Sequence, residues 1–312
     1  MPPPAPEAVR RLLVVKLGAL GDFILAQGAF AALRRHYAGA HIALLTIPAL
    51  RRLGEACGHF DEVLDDPRGR SPLAYLAVRR LIRAGRYDLV VDLQCNGRTG
   101  RYHRLLWPGR PAWNGTAAGC SLPDRQPDRR RTHAAARYAR QMHGLGIAEV
   151  PPPRVDFLAG DIAGFGLPAR FVLLVPGSAP SRPRKRWPAA AYGELANRLA
   201  ARGLAPVLLG TAAEAEATAA IAAACPAAID LTGRSDLFQL GSLARAAAGA
   251  VGNDTGPTHI LAVAGCPTLA LFSDDSDPAL NAPVGPDVAV LRRDDLASLD
   301  VAAVEAALRL RG

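Results

Sequence analysis

The chain is short of aromatic residues, paired cysteines, long apolar runs and lysine, and each shortage removes a class of function. No uninterrupted apolar stretch approaches the roughly 20 residues that a membrane-spanning helix requires. The opening Met1-Pro-Pro-Pro-Ala-Pro6 lacks the basic and apolar regions of a signal peptide, which predicts a short disordered arm on a cytoplasmic protein. Five cysteines (Cys57, Cys95, Cys120, Cys225, Cys266) are odd in number and show no Cys-x-x-Cys spacing. That excludes a disulfide framework and a cysteine-held metal, and Cys57, although near His59, reads as a small buried thiol. Aromatic residues make up 5% and are not interleaved with the basic ones, so no nucleic-acid partner is expected. Nothing in the sequence calls for an oligomer, and a monomer is the default.

What is present is a globular composition with lopsided charge. Half the residues are hydrophobic, and 312 residues suffice for two domains with separate cores. Residues 1–150 hold 23 basic and 12 acidic side chains, a surplus of +11, whereas residues 151–312 hold 14 and 16, a balance of −2. A basic half joined to a nearly neutral one predicts that the first half meets an anionic partner. Only two of the 37 basic residues are lysine, Lys16 and Lys185. An ammonium is a compact point charge that reaches one phosphate oxygen without a planar fork, so both positions become candidate anion contacts.

Short apolar runs alternate with helix-like stretches throughout. Strands are expected at 12–17, 42–46, 62–64 and 89–93, with helices at 22–37, 49–57 and 73–84 between them. The pattern restarts after Pro151-Pro-Pro153, with strands at 171–175, 206–209, 228–231, 248–251, 268–272 and 288–291. Alanine-rich helices are expected at 189–202, 213–224, 237–246 and 256–264, and a last one at 301–310. Buried strands with helical crossovers mean parallel sheets covered on both faces. The expectation is α/β: two doubly wound Rossmann-like domains, 1–160 and 161–312, facing a central cleft.

Three loops lie where such sheets bind ligands, at strand C-termini. Residues 253–259, Asn-Asp-Thr-Gly-Pro-Thr-His, open a helix whose first N–H groups favour an anion, and Gly256 allows close approach. Two readings stand for this loop: a seat for the phosphates of a nucleotide, or a helix start capped by Asp254 and Thr255. Lys185 follows the glycine-bearing loop at 176–180, and Ser178 lies in that loop. In the first half, Gly18-Ala-Leu-Gly21-Asp22 leads from strand to helix. Its G-x-x-G spacing, with no acid about 20 residues on, argues against a dinucleotide dehydrogenase. Asp22 is then either an N-cap or a general base for a substrate hydroxyl.

Taken together, Gly18-Ala-Leu-Gly-Asp22, Tyr87-Asp-Leu-Val-Val-Asp-Leu-Gln94, Pro176-Gly-Ser178 with Lys185-Arg-Trp-Pro188, and the 253–259 loop resemble glycosyltransferase family 9. The resemblance runs nearly end to end, with four motifs in order. It implies a GT-B fold, an acceptor on the first domain and the nucleotide sugar on the second. It implies transfer of a heptose from ADP-heptose, as substrate and with no cofactor or metal, to a lipopolysaccharide core hydroxyl with inversion. The family's base aspartate falls on Asp22 and its phosphate-binding lysine on Lys185. Its diphosphate loop falls on Asp254, Thr255 and Gly256 with His259 nearby. Its ribose-binding glutamate falls on Glu214, with Glu216 as the alternative.

On the acceptor side stand Gly18, Gly21, Arg98, Arg101 and Arg130, with Arg51, Arg52, Arg129 and Arg131 as further candidates. The implied acceptor is an anionic lipid-linked oligosaccharide at the inner face of a membrane, with peripheral attachment there. His133, Trp107, Trp113 and Trp187 read as structural or core residues. Two departures are visible: Ser273-Asp-Asp-Ser-Asp-Pro278 replaces Gly-Pro-Thr-Asp-Pro, and the loop before Lys185 begins Pro-Gly-Ser rather than His-Ala-Thr. The rival readings are a transferase for another nucleotide sugar and a non-catalytic nucleotide-sugar-binding protein.

Overall fold

The computed structural model of the protein describes residues 2–178 and 182–311. Met1, Ala179 and Pro180, which fall in the expected arm and in the 176–180 loop, lie outside the described residues, as does Gly312 at the end of the second expected domain. The chain forms two compact units that divide between Pro153 and Arg154. No helix among the described residues is long and apolar enough to cross a membrane.

Each unit is built on a six-stranded parallel sheet. The first contains β1 (Arg11–Val15), β2 (His41–Thr46), β3 (Glu62–Asp65), β4 (Leu89–Asp92), β5 (Ala112–Gly115) and β6 (Leu122–Pro123), in the order β3-β2-β1-β4-β5-β6. The second contains β7 (Phe171–Val175), β8 (Ala205–Leu208), β9 (Ile229–Asp230), β10 (Gly249–Asn253), β11 (Thr268–Phe272) and β12 (Val288–Arg292), in the order β12-β11-β10-β7-β8-β9. Counted from its own first strand, each sheet has the doubly wound order 3-2-1-4-5-6.

β7 is apolar at every position, and β1 at every position after Arg11, because helices cover both faces. Leu12 to Val15 and Phe171 to Val175 are all buried. Around the second sheet, Val172, Leu174, Tyr192, Leu195, Leu199 and Ile221 form one core; around the first, Leu13, Val15, Val90, Tyr102 and Trp113 belong to another.

Four elements of the first unit are absent from the sequence reading: β5, β6 and the helices Gly97–Leu105 and Ala134–Gly144. Their buried positions explain why. The first helix buries Thr99, Tyr102 and His103, which make no apolar stripe, and the second buries Ala134, Tyr138 and Met142 beside a polar Gln141, a narrow stripe.

The tryptophans also need a correction. Trp113 and Trp187 are core residues, at 0% and 1% exposure, but Trp107 is 69% exposed and is not a packing residue. Trp113→Ala is therefore expected to cost about 3–5 kcal/mol of stability, and Trp107→Ala less than about 0.5. Urea unfolding of the two variants checks this contrast.

Candidate active site

In both sheets the strand order reverses between the first and fourth strands, that is between β1 and β4 and between β7 and β10. The loops leaving the C-terminal ends of those strands form the crevice in which doubly wound sheets bind ligands. All four sequence motifs map onto these loops. Residues 18–22 follow β1, Gln94 follows β4, residues 176–178 follow β7, and residues 254–256 follow β10.

In the second unit, Lys185 Nζ lies 2.5 Å from Asp254 Oδ2, and His259 Nε2 lies 3.9 Å from Asp254 Oδ1. All three side chains are largely buried. Burial alone would raise the Asp254 carboxyl, but His259, Lys185 and Ser276 hold it down at about 2. The folded value lies below the ordinary 3.8, so this carboxylate stabilises the fold above that pH and the contribution is lost as pH falls through about 2. The wild-type protein is expected to lose on the order of 2 kcal/mol by this route on acidification, and Asp254→Asn to lose none of it. Urea unfolding of both proteins at neutral and strongly acidic pH measures the difference.

Asp254 thus turns its carboxylate to Lys185 and to the His259 side chain of the following helix. Thr255 occupies the N-cap of the helix Gly256–Val263 in an extended conformation, without a side-chain capping bond. The Asp254 N–H donates to the Leu271 carbonyl, whereas among the described residues the N–H groups of Thr255 and Gly256 meet no protein acceptor. The simple capping reading therefore fails, and the helix start is left with free donors beside an ammonium. Gly252 makes the tight strand-to-helix turn possible, since a Cβ there would stand 2.5 Å from Thr258 Oγ1 and 3.0 Å from Val175 Cβ.

Asn253 has a role that the motif did not reveal. It is fully buried; its Oδ1 accepts from the Trp187 N–H and the Tyr192 hydroxyl, both at 3.2 Å, and its Nδ2 donates to the Pro176 carbonyl at 2.8 Å. One amide thus ties the β10 loop to the β7 loop and to the segment that carries Lys185. Ser178 is buried on that same β7 loop, and its hydroxyl donates to the Arg182 carbonyl. Glu214 lies against the loop too: a Cβ on Gly177 would stand 2.8 Å from Glu214 Cγ. Its Oε2 accepts from the Thr211 N–H and hydroxyl, while Glu216 is exposed.

In the first unit, Asp22 stands in the first turn of the helix Leu20–Leu25, whose N-cap is Ala19. Asp22 is thus not the N-cap, which corrects the first of its two readings. Its carboxylate is 37% exposed, and Oδ2 lies 3.8 Å from Nζ of the buried Lys16. The Lys16 ammonium donates to the Gly18 carbonyl at 3.1 Å and to Gln94 Oε1 at 3.4 Å, and it faces the Tyr138 ring. Gly18 and Gly21 are both buried beneath this loop, and Gly18 has φ +115°, which favours glycine.

The residue 87–94 motif acts as a brace. Asp88 accepts from the N–H groups of Arg10 and Arg11, and Gln94 Oε1 accepts from the Leu17 N–H. Asp92 is buried, and burial pushes its carboxyl up to about 6 against the pull of Thr99, the Cys95 and Gln94 N–H groups and Lys16.

Two motif loops thus lie at each of the two switch points, with a lysine–aspartate pair at both. The sequence profile of glycosyltransferase family 9 (heptosyltransferase) matches residues 118–306. The chain belongs to this family. Lipopolysaccharide heptosyltransferase 2 of Salmonella typhimurium is 27% identical over 307 residues, covering 90% of this chain and 88% of the relative. Among solved structures, the family 9 glycosyltransferase of Veillonella parvula superposes with a TM-score of 0.82 at 23% identity, covering 96% of this chain and 95% of its own. The E. coli heptosyltransferase WaaC with ADP-2-deoxy-2-fluoro heptose superposes at 0.73 and 19% identity, covering 95% and 98%. The fold is GT-B, as expected.

The candidate acceptor arginines of this family 9 chain fall into two groups. Arg98 is paired with the fully buried Asp66 and donates to the Arg68 and Gly69 carbonyls, so its guanidinium is engaged in shaping the 66–69 turn. Arg51 pairs with Asp65 and Glu55, and Arg129 with Asp124. Arg101 and Arg130 are exposed and paired with no carboxylate among the described residues. Arg130 lines a depression of about 490 Å³ together with Asn96, Gly97 and Thr116, at the start of the helix Gly97–Leu105. His133 caps the helix Ala134–Gly144 through Nδ1, the structural role expected for it.

Proposed function

We propose that the protein transfers a heptose from ADP-heptose to a hydroxyl of a lipopolysaccharide core acceptor, of lipid A–Kdo type, with inversion and without a metal ion. One observation carries the reading: each of the chain's two lysines stands at a switch point, paired with the aspartate of a motif loop. The names of the relatives support the same donor and acceptor classes.

In this reading the first unit binds the acceptor and the second binds the nucleotide sugar. Asp22 takes the proton from the acceptor hydroxyl as its oxygen attacks the anomeric carbon, and the bond from that carbon to the diphosphate breaks. Lys16, held by Gln94, fixes the orientation of the Asp22 carboxylate. On the donor side, Lys185 and the N–H groups of Thr255 and Gly256 absorb the charge that develops on the leaving diphosphate, with Ser178 and His259 beside it. Asp254 holds the Lys185 ammonium in place, and Glu214 receives the ribose. Gly18 and Gly21 shape the acceptor side of the base, and Arg101 and Arg130 meet acceptor anions, with Arg98 supporting them from behind. No cofactor is called for, and the enzyme works on the cytoplasmic side as a monomer.

The donor is tested by a thermal-shift screen across ADP, UDP, GDP and CMP sugars. Stabilisation by ADP species alone is the expected result. Selective stabilisation by another base would favour a different nucleotide sugar. The Ser273-to-Asp277 segment motivates that second reading, because its Ser276 acts directly on Asp254.

A further inference from the structure

Among the described residues four large hydrophobic side chains are exposed, and three of them lie on or just after two helices of the first unit that pack together. Leu73, at 76%, opens the helix Pro72–Ala84; Leu105, at 40%, ends the helix Gly97–Leu105; and Trp107, at 69%, follows it. The two helices pack through Tyr75 and Tyr102, whose ring centroids are 5.8 Å apart. Between them runs a shallow groove of about 640 Å³ lined by Tyr75, Leu76, Arg79, Arg101 and Leu105.

The stretch of chain that forms this groove is rich in arginine. Residues 67–123 contain ten arginines and only two acids, Asp88 and Asp92. Asp88 accepts from the Arg10 and Arg11 N–H groups, and Asp92 is buried. The arginines around the groove bond neutral oxygens: Arg79 to the Leu105 carbonyl, Arg83 to the Leu106 and Pro108 carbonyls, and Arg101 to the Tyr75 hydroxyl. Arg110 covers the Trp107 ring, with its guanidinium carbon 5.2 Å from the ring centroid. Among the described residues these four arginines, Arg79, Arg83, Arg101 and Arg110, pair with no carboxylate, whereas Arg98 is neutralised by Asp66.

We propose that this face docks on an anionic lipid bilayer, with Leu73, Leu105 and Trp107 entering the interface and the arginines meeting the headgroups. Exposed Trp and Leu ringed by arginine is the composition that interfacial binding requires. A polyanion such as RNA would satisfy the arginines and leave the leucines in water. The inference rests on the transferase reading only for its sense, that a lipid-linked acceptor is met at a membrane.

The test is co-sedimentation of the full chain with vesicles of phosphatidylcholine alone and of phosphatidylcholine with phosphatidylglycerol. Binding is expected to the anionic vesicles only and to weaken as salt is raised. The double variant Leu73→Ser/Trp107→Ser and the single variant Arg79→Glu are each expected to weaken it about tenfold or more. Their melting temperatures, and transfer to a detergent-dispersed acceptor, should stay at the wild-type level. Equal binding to neutral vesicles, no binding to either, or wild-type binding by the variants overturns the proposal. So does a wild-type dimer in light scattering that the double variant dissociates, which would make a second copy the occupant. Vesicle binding is read without turnover, so a failure of the transferase reading leaves this result standing on its own.

Discussion

Replacing Asp22 by alanine is expected to reduce kcat by about 10²–10⁴-fold while leaving ADP affinity nearly unchanged. The split follows from where the residue sits. Asp22 belongs to the switch point of the first sheet, whereas the donor loops all belong to the second unit. A carboxylate that accepts a proton only as the acceptor attacks acts in the transition state and not in donor binding. Isothermal titration with ADP and initial rates with saturating acceptor separate the two effects. A variant that keeps more than about a tenth of the wild-type rate removes Asp22 as the base, because a tenfold loss is smaller than general-base catalysis supplies. Lys16→Met should lower kcat less, since it leaves the carboxylate present but unanchored.

Lys185→Ala is expected to lower kcat by about 10²–10³-fold, the usual cost of removing one preorganised donor from a developing negative charge. It also strands Asp254, a buried carboxylate whose nearest cation is Lys185. Breaking a buried pair from one side costs about 3–5 kcal/mol, so this variant should also be destabilised. The double variant Lys185→Ala/Asp254→Ala separates the two roles. Stability should return towards the wild type because neither charge is left alone, and activity should not return. Lys185→Arg is expected to restore little activity, since a planar fork does not replace a compact ammonium. Full activity in the double variant would show that the lysine is structural.

In the second sheet β7 and β11 were legible because they are short, largely apolar runs whose residues are all buried; Phe171–Val175 and Thr268–Phe272 fall where the pattern placed them. The first unit beyond β4 was not. The helix Gly97–Leu105 carries two glycines and three arginines, and its buried face uses Tyr102 and His103, which periodicity does not count as core. Scarcity in an arginine-rich chain picked out both lysines, but the partner of Lys16 could not be read, because the ion pair depends on how the 18–22 turn folds back. Likewise, the brace formed by Asp88 and Gln94 depends on the parallel register of β1 and β4, in which Val15 lies opposite Asp92. Asn253 looked like part of an anion loop and proved to be its anchor. Trp107 misled because large aromatic residues are usually buried, and nothing local distinguishes it from Trp113.

In the proposed reaction Asp22 serves the acceptor hydroxyl and Lys185 the leaving diphosphate. A crystal structure with an unreactive ADP-heptose analogue and an acceptor oligosaccharide tests it most directly. Asp22 is expected within about 3.2 Å of the attacking hydroxyl, directly or through one water, and Lys185 at a similar distance from the diphosphate. A bound donor that touches Lys185 while Asp22 faces solvent far from any acceptor hydroxyl would contradict it.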